Sequence, residues 1–199
     1  MELTETQIKI LDQAKKQFLE HGYKSASLRQ IVKNAGFTLG AFYGYYASKE
    51  ELFNALVDET AMGIVSILKG ISDEMDALPK EERMMKMSSI YITHLPSLVD
   101  YLFDHHDEVI LLFSKSEGTK YQNYLNQIQG NSQSNTVSRI EGSTQGIGMN
   151  PMTLKMIMNS YYSMIFNVIV SGMKKEDVLN VMIEIQEFYQ YGMLGMVKK

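Results

Sequence analysis

The side chains best suited to hold a metal gather between positions 94 and 107: His94, His105 and His106, with Asp104 and Asp107. Imidazole and carboxylate are common zinc ligands. Neighbours in sequence, however, project to different faces of a helix, so these five form no ready ligand set. They read as a solvated helix start. Catalysis finds no better footing. There is no Ser/His/Asp set, no phosphate-cradling glycine loop and no paired carboxylates in a recognisable setting. Cysteine is absent, which removes thiolate chemistry and disulfides. The expectation is a protein that is not an enzyme and uses neither metal nor cofactor.

Hydroxyls at regular intervals in the first fifty residues do a different kind of work. Thr4-Glu5-Thr6-Gln7, Ser27-Leu28-Arg29-Gln30 and Ser48-Lys49-Glu50-Glu51 each read as a capping box. Ile8, Leu11, Ala14 and Phe18 have the spacing of one buried stripe, which predicts a helix over about 5–21 that ends at Gly22. Leu28, Ile31, Val32 and Ala35 predict a second helix, stopped by Gly36. Thr38 caps a third, reaching about Tyr43, and Leu52, Phe53, Leu56 and Val57 begin the buried face of a fourth. Two short helices around a glycine turn form a helix-turn-helix, whose second helix enters the major groove of DNA. A generic three-helix bundle would show the same punctuation, so the pattern alone leaves both readings open. Ser27 and Thr38 also sit beside free helix N-terminal amides, which bind phosphate, although capping by itself accounts for them.

Composition supports a helical reading. Proline is limited to Pro79, Pro96 and Pro151, and there are fifteen methionines. Methionine keeps most of its rotamer freedom in a helix, whereas proline breaks the ladder. Strand-like alternation is missing, so the fold class expected is all-α. The net charge of −4 is polarised: residues 1–50 carry +2 and the remainder −6. No apolar run reaches the roughly 18 to 20 residues of a membrane span. The start, MELTETQIKIL, lacks the basic-then-apolar order of a signal peptide, and a cytoplasmic protein is expected.

The stretch SLRQIVKNAGFTLGAFYGYYASKEELFNAL resembles the TetR family of transcription regulators. The match is carried by Ile31, Ala35-Gly36, Thr38, Gly40, Phe42-Tyr43, Tyr45-Tyr46, Lys49-Glu50 and Leu52, with Phe18 and Gly22-Tyr23 before them. DEVILLFSKSEGTKYQNYL further on looks like a segment of that family's ligand-binding domains. The resemblance implies a helix-turn-helix DNA-binding domain over 1–50 and a larger helical ligand-binding and dimerisation domain over 51–199. Physical roles suit the matched positions. Gly40 lets backbone and phosphate approach closely. Tyr43 and Tyr45 offer hydroxyls to phosphates. Lys49 stands in the first turn of a helix, a poor place for a cation unless a phosphate offsets the dipole. The candidate DNA contacts are thus Ser27, Arg29, Thr38, Leu39, Gly40, Tyr43, Tyr45 and Lys49, with Lys33 supplying further charge. The recognition helix has no Arg, Asn or Gln for bidentate base contacts, so specificity would rest on thymine methyls, backbone placement and DNA shape. Departures at Val32, Phe37 and Tyr45 from residues frequent in the family leave the operator open.

Beyond residue 53 the fourth helix should continue to about Ile71, followed by a polar loop over 72–82. A helix over 83–95 should end at Pro96, with a short helix over 97–103 and a longer one from His106 to about Gln129, broken near Gly118-Thr119. Residues 130–150 are polar, with four glycines, and suggest a mobile connection. Leu154, Ile157, Met158, Tyr161, Ile165, Val168 and Ile169 line one face of the penultimate helix, and Met156, Phe166 and Val170 make its other side apolar. Val178, Val181, Met182, Ile185, Tyr189, Gly192, Met193 and Met196 repeat the pattern in the last. These faces could be plain core. The resemblance implies that the two helices pair with their copies in a homodimer, placing two recognition helices about 34 Å apart on double-stranded DNA. It also implies a small-molecule effector in an adaptable apolar pocket, for which Met87, Tyr91, Phe113, Tyr121, Tyr161, Tyr162 and Phe166 are the candidates. The function expected is a repressor released from a palindromic operator by that effector. Alternatives are a DNA-binding regulator or architectural factor controlled by a protein partner, and a small-molecule-binding or enzymatic helical bundle whose N-terminal helices are only structural.

Overall fold

The computed structural model describes residues 3–128 and 150–196; most of the polar stretch at 130–150 lies outside them. The described residues are helical and contain no strand. The helices are α1 (Glu5–Ser25), α2 (Leu28–Asn34), α3 (Leu39–Tyr43), α4 (Lys49–Ala77), α5 (Lys80–Asp104), α6 (His106–Ser114), α7 (Pro151–Ile169) and α8 (Lys175–Gly195). Contacts divide the chain into two compact units, residues 1–63 with 105–124, and residues 64–104 with 125–199. Sequence reading places a boundary at residue 50; by contacts, the start of α4 and the α6 region belong with α1–α3.

In the first unit, α1 begins with the full capping box: Gln7 N–H donates to Thr4 Oγ1 at 3.3 Å, and Thr4 N–H donates to Gln7 Oε1 at 3.0 Å. The other two boxes are modified. Ser27 Oγ accepts from Gln30 N–H, but the Gln30 side chain turns to Asn34. Ser48 Oγ accepts from Glu51 N–H, while the Glu51 carboxylate takes the amide of Ala47 rather than that of Ser48. The buried stripe of α1 is Ile10, Ala14 and Phe18; Ile8 is exposed. A four-residue step from Phe18 backwards therefore selects Ile10. Gly22 leaves the helical region as expected (φ 74°), yet one further turn carries α1 to Ser25. Phe53 of α4 packs edge-on against Phe18 and Tyr23, both at 5.3 Å. The end of α1 is tied to the segment after α6 through Tyr23 N–H, which donates to Lys115 O at 2.8 Å. Lys15 pairs with Glu108 of α6, and Lys24 with Glu117.

The second unit departs more from its expected outline. The loop foreseen over 72–82 shrinks to residues 78–79, because α4 runs on to Ala77. Arg83 closes this corner by donating to the carbonyls of Leu78 and Asp76. Pro96 does not end its helix: α5 passes through it to Asp104. Pro96 is exposed, so the carbonyl one turn back that loses its donor can turn to water. α6 is shorter than expected, giving way at Ser114 to turns around Gly118 before helix resumes at 124–128. α7 starts with Asn150 capping Met152 N–H and Pro151 at its head. α8 packs on both α5 and α7.

Candidate functional site

The turn between α2 and α3 is built by backbone geometry. Phe37 N–H donates to Val32 O and Gly36 N–H to Lys33 O, both at 3.0 Å, with Gly36 at φ 84°. This is a Schellman closure, and a residue with a Cβ would be strained at Gly36. Thr38 then caps α3, accepting from Ala41 N–H at 3.2 Å. One face of α3 anchors it: Phe42 is fully buried, with Tyr46 stacked on its ring at 5.7 Å.

With Phe42 turned inward, other residues of the segment turn outward. Thr38, Gly40, Ala41, Tyr43, Gly44 and Tyr45 are exposed, while Phe37 and Leu39 are half-buried. Tyr43 is 57% exposed, unusual for an aromatic ring in a packed module. The Tyr43 and Tyr45 hydroxyls make no hydrogen bond among the described residues, which leaves them available to an acceptor from outside. Cations divide by position. Lys9 and Lys16 are paired within α1, and Lys15 and Lys24 pair with Glu108 and Glu117. Arg29 and Lys33, exposed on α2, have no ion pair among the described residues. The uncommitted charge therefore lies on the helix next to the recognition helix.

Lys49 is placed differently from Arg29 and Lys33. Its ammonium donates to Tyr23 O at 2.7 Å and Ala26 O at 3.0 Å, and lies 4.5 Å above the Tyr23 ring. Partial burial lowers its pKa. Carbonyls at the end of α1 are the negative pole of that helix, and they supply the offset that sequence reasoning assigned to a phosphate. Lys49→Met keeps the stem and removes these bonds. The expected result is a loss of about 1.5 kcal/mol in urea unfolding; an unchanged midpoint would show that the carbonyls do not need the ammonium.

The candidate effector residues separate into two groups. Met87, Tyr91, Tyr161 and Tyr162 come together around a pocket in the second unit, joined by Met158, Gln186, Tyr189, Gln190 and Met193. Phe113 and Tyr121 lie in the first unit, where both rings pack on Tyr124 and the Tyr121 hydroxyl donates to Asp58 at 2.6 Å. Phe166 is half-buried on α7 and does not line the pocket. The pocket holds about 20 Å³, room for about one water molecule. The Tyr161 hydroxyl donates to Gln186 Oε1 at 2.7 Å. Burial, then the neighbouring Tyr91, Tyr162 and Tyr189, push the Tyr161 pKa far up, so it stays a neutral phenol. Gln186 had a legible signal that sequence reasoning passed over: an amide at position i+4 from Met182 on an otherwise apolar helix face.

No group of three or more histidines, aspartates or glutamates able to hold a metal occurs among the described residues. His94 instead faces Glu74 at 2.6 Å. No helix among them is long and apolar enough to cross a membrane.

Residues 10–56 match the family described as bacterial regulatory proteins, tetR family. The HTH-type transcriptional repressor AcnR of Corynebacterium diphtheriae is 34% identical over 85 residues, 41% of this chain and 45% of that protein. The chain thus aligns with less than half the length of the curated relatives it matches. Over nearly the whole chain the fold is that of solved regulators. A TetR-like transcriptional regulator from Rhodococcus sp. RHA1 superposes with a TM-score of 0.64 at 16% identity, covering 96% of this chain and 99% of the other. The transcriptional regulator FadR from Bacillus subtilis, solved in complex with stearoyl-CoA, gives 0.56 at 15% identity, covering 93% and 98%.

Proposed function

We propose that this chain, whose N-terminal module is of the TetR family, is a DNA-binding transcriptional regulator acting as a homodimeric repressor. The observation that carries the reading is the outward face of the helix-turn-helix, where exposed Tyr43 and Tyr45 and unpaired Arg29 and Lys33 surround a short helix anchored by Phe42. Tyrosine hydroxyls and cations are the usual partners of DNA phosphates. The exposed Cα of Gly40 gives the backbone room to approach. Lys49 would act indirectly, by holding the end of α1. Ser27 and Thr38 retain hydroxyl protons beyond their capping role, and Leu39 offers apolar contact to a base.

The second unit supports a homodimer. Met152 and Met156 on α7, with Phe188, Tyr191 and Leu194 on α8, are large apolar side chains left exposed. Covering them with a second copy would remove that surface from water and supply two recognition helices for a palindromic site. A small molecule bound in the second unit would release the repressor by favouring a state with the wrong half-site spacing. Such a protein would work in the cytoplasm.

The test is a gel shift on DNA flanking the gene. Arg29 and Lys33 from two copies give four cations, so affinity should fall about 100-fold between 50 and 200 mM salt. Arg29→Ala with Lys33→Ala should flatten that slope. If no site is protected at low salt, or binding persists unchanged at high salt, the regulator reading is wrong.

A further inference from the structure

The lining of the pocket in the second unit is chemically restrictive. Tyr91, Tyr161, Tyr162 and Tyr189 supply aromatic rings, and Met87, Met158 and Met193 supply thioethers. Gln186 and Gln190 are its remaining members, so no side chain charged at neutral pH lines the space. A charged ligand group buried there would lose its hydration without gaining a counterion.

Gln186 gives the site a polar preference. The residue is 4% exposed, and its Oε1 is occupied by the Tyr161 hydroxyl. Its amide NH2 makes no hydrogen bond among the described residues. A ligand acceptor in the pocket would give this amide a partner. Tyr161 holds the amide in place, so the direction of the donor is set before anything binds. Tyr161 is itself wedged edge-on between Tyr162 at 5.2 Å and Tyr189 at 5.0 Å, an arrangement that favours flat rings as further partners.

We propose that the space bounded by α5, α7 and α8 binds an uncharged, flat aromatic molecule carrying a hydrogen-bond acceptor, which the Gln186 amide recognises. The proposal rests on the reading of the second unit as the effector-binding part. The present space admits little more than a water molecule, so binding requires side chains to move. The three methionines can do this, having unbranched chains that repack at small cost. A flexible acyl chain ending in a carboxylate would leave its anion unpaired.

The test uses the full chain and titration calorimetry with three probes. Coumarin is flat and uncharged, with a ring carbonyl as acceptor. Coumarin-3-carboxylate adds an anion to the same frame, and laurate replaces the frame by a flexible chain. Coumarin should bind once per chain with a Kd below about 1 mM, and both anions should bind at least tenfold more weakly. Gln186→Leu should weaken coumarin at least tenfold. Gln186→Glu, which keeps the shape and an acceptor for Tyr161, should do the same if the leucine variant fails to fold. The proposal is overturned if coumarin does not bind at 1 mM, if either anion binds as tightly, or if the folded glutamine variants bind coumarin unchanged. Gel shifts run in parallel separate the two readings. Coumarin binding by a chain that never binds DNA removes the regulator while keeping the site. DNA binding without coumarin binding does the reverse.

Discussion

Gly40→Glu should weaken DNA binding about 100-fold while leaving the protein folded. A Cβ at position 40 would meet nothing nearer than Thr38 Oγ1 at 3.8 Å, an ordinary contact, and the residue is exposed. Its backbone is not in the left-handed region, so no strain opposes a side chain. The fold therefore has no use for a glycine here, and helix propensity argues against one by about 0.5–1 kcal/mol relative to alanine. A carboxylate on this face would stand against DNA phosphates, a like-charge juxtaposition costing several kcal/mol, on the order of a 100-fold loss of affinity. Gly40→Ala is the companion variant. It should melt at the same temperature as the parent or slightly higher, and lose affinity only as far as a methyl group obstructs the approach. The measurement is a fluorescence anisotropy titration of labelled operator beside a thermal melt. A glutamate variant that binds DNA normally would show that this face of α3 does not meet the duplex.

Phe53→Ala should have the largest effect on stability. Phe53 is fully buried where α4 meets the end of α1, with Phe18 and Tyr23 each 5.3 Å away in edge-to-face contact. Truncation removes the ring and leaves a cavity whose walls are held by helices, so the expected cost is about 3–5 kcal/mol. That is a large share of the roughly 5–15 kcal/mol that stabilises an ordinary domain. DNA binding should fall in parallel, because the recognition helix is anchored by its inward residues and carries only five residues of its own helix. Urea unfolding followed by far-UV circular dichroism measures the loss. A shift under 1 kcal/mol would mean that the aromatic cluster is not the keystone of the first unit.

Lys49 shows where reasoning from local sequence runs out. Its position in the first turn of a helix flags an unfavourable electrostatic placement, and sequence alone cannot say what compensates it. The answer lies 23 and 26 residues earlier, in the carbonyls of Ala26 and Tyr23. The effector candidates behave similarly. Met87, Tyr91, Tyr161 and Tyr162 converge, whereas Tyr121 is drawn into the first unit by Asp58. Aromatic and methionine side chains carry no address; the packing of helices distant in sequence assigns them one. Pro96 is the opposite failure, a strong local rule overridden within a helix otherwise well supported.

The helix-turn-helix was legible because its signals are local. Hydroxyls at Thr4, Ser27, Thr38 and Ser48 cap helices within three residues of themselves, and the turn at Gly36 closes between residues 32 and 37. These are short-range hydrogen bonds and backbone preferences, so the order of residues determines them directly. The exposure of Tyr43 and Tyr45 also follows, once Phe42 is recognised as the inward residue. Tertiary structure alone decided what the long helices do: where α4 ends, that α5 runs through Pro96, and which tyrosines face Gln186. Apolar side chains on a helix all gain from burial in the same non-directional way. The sequence therefore specifies that such faces must be covered, and only the assembled fold specifies by what.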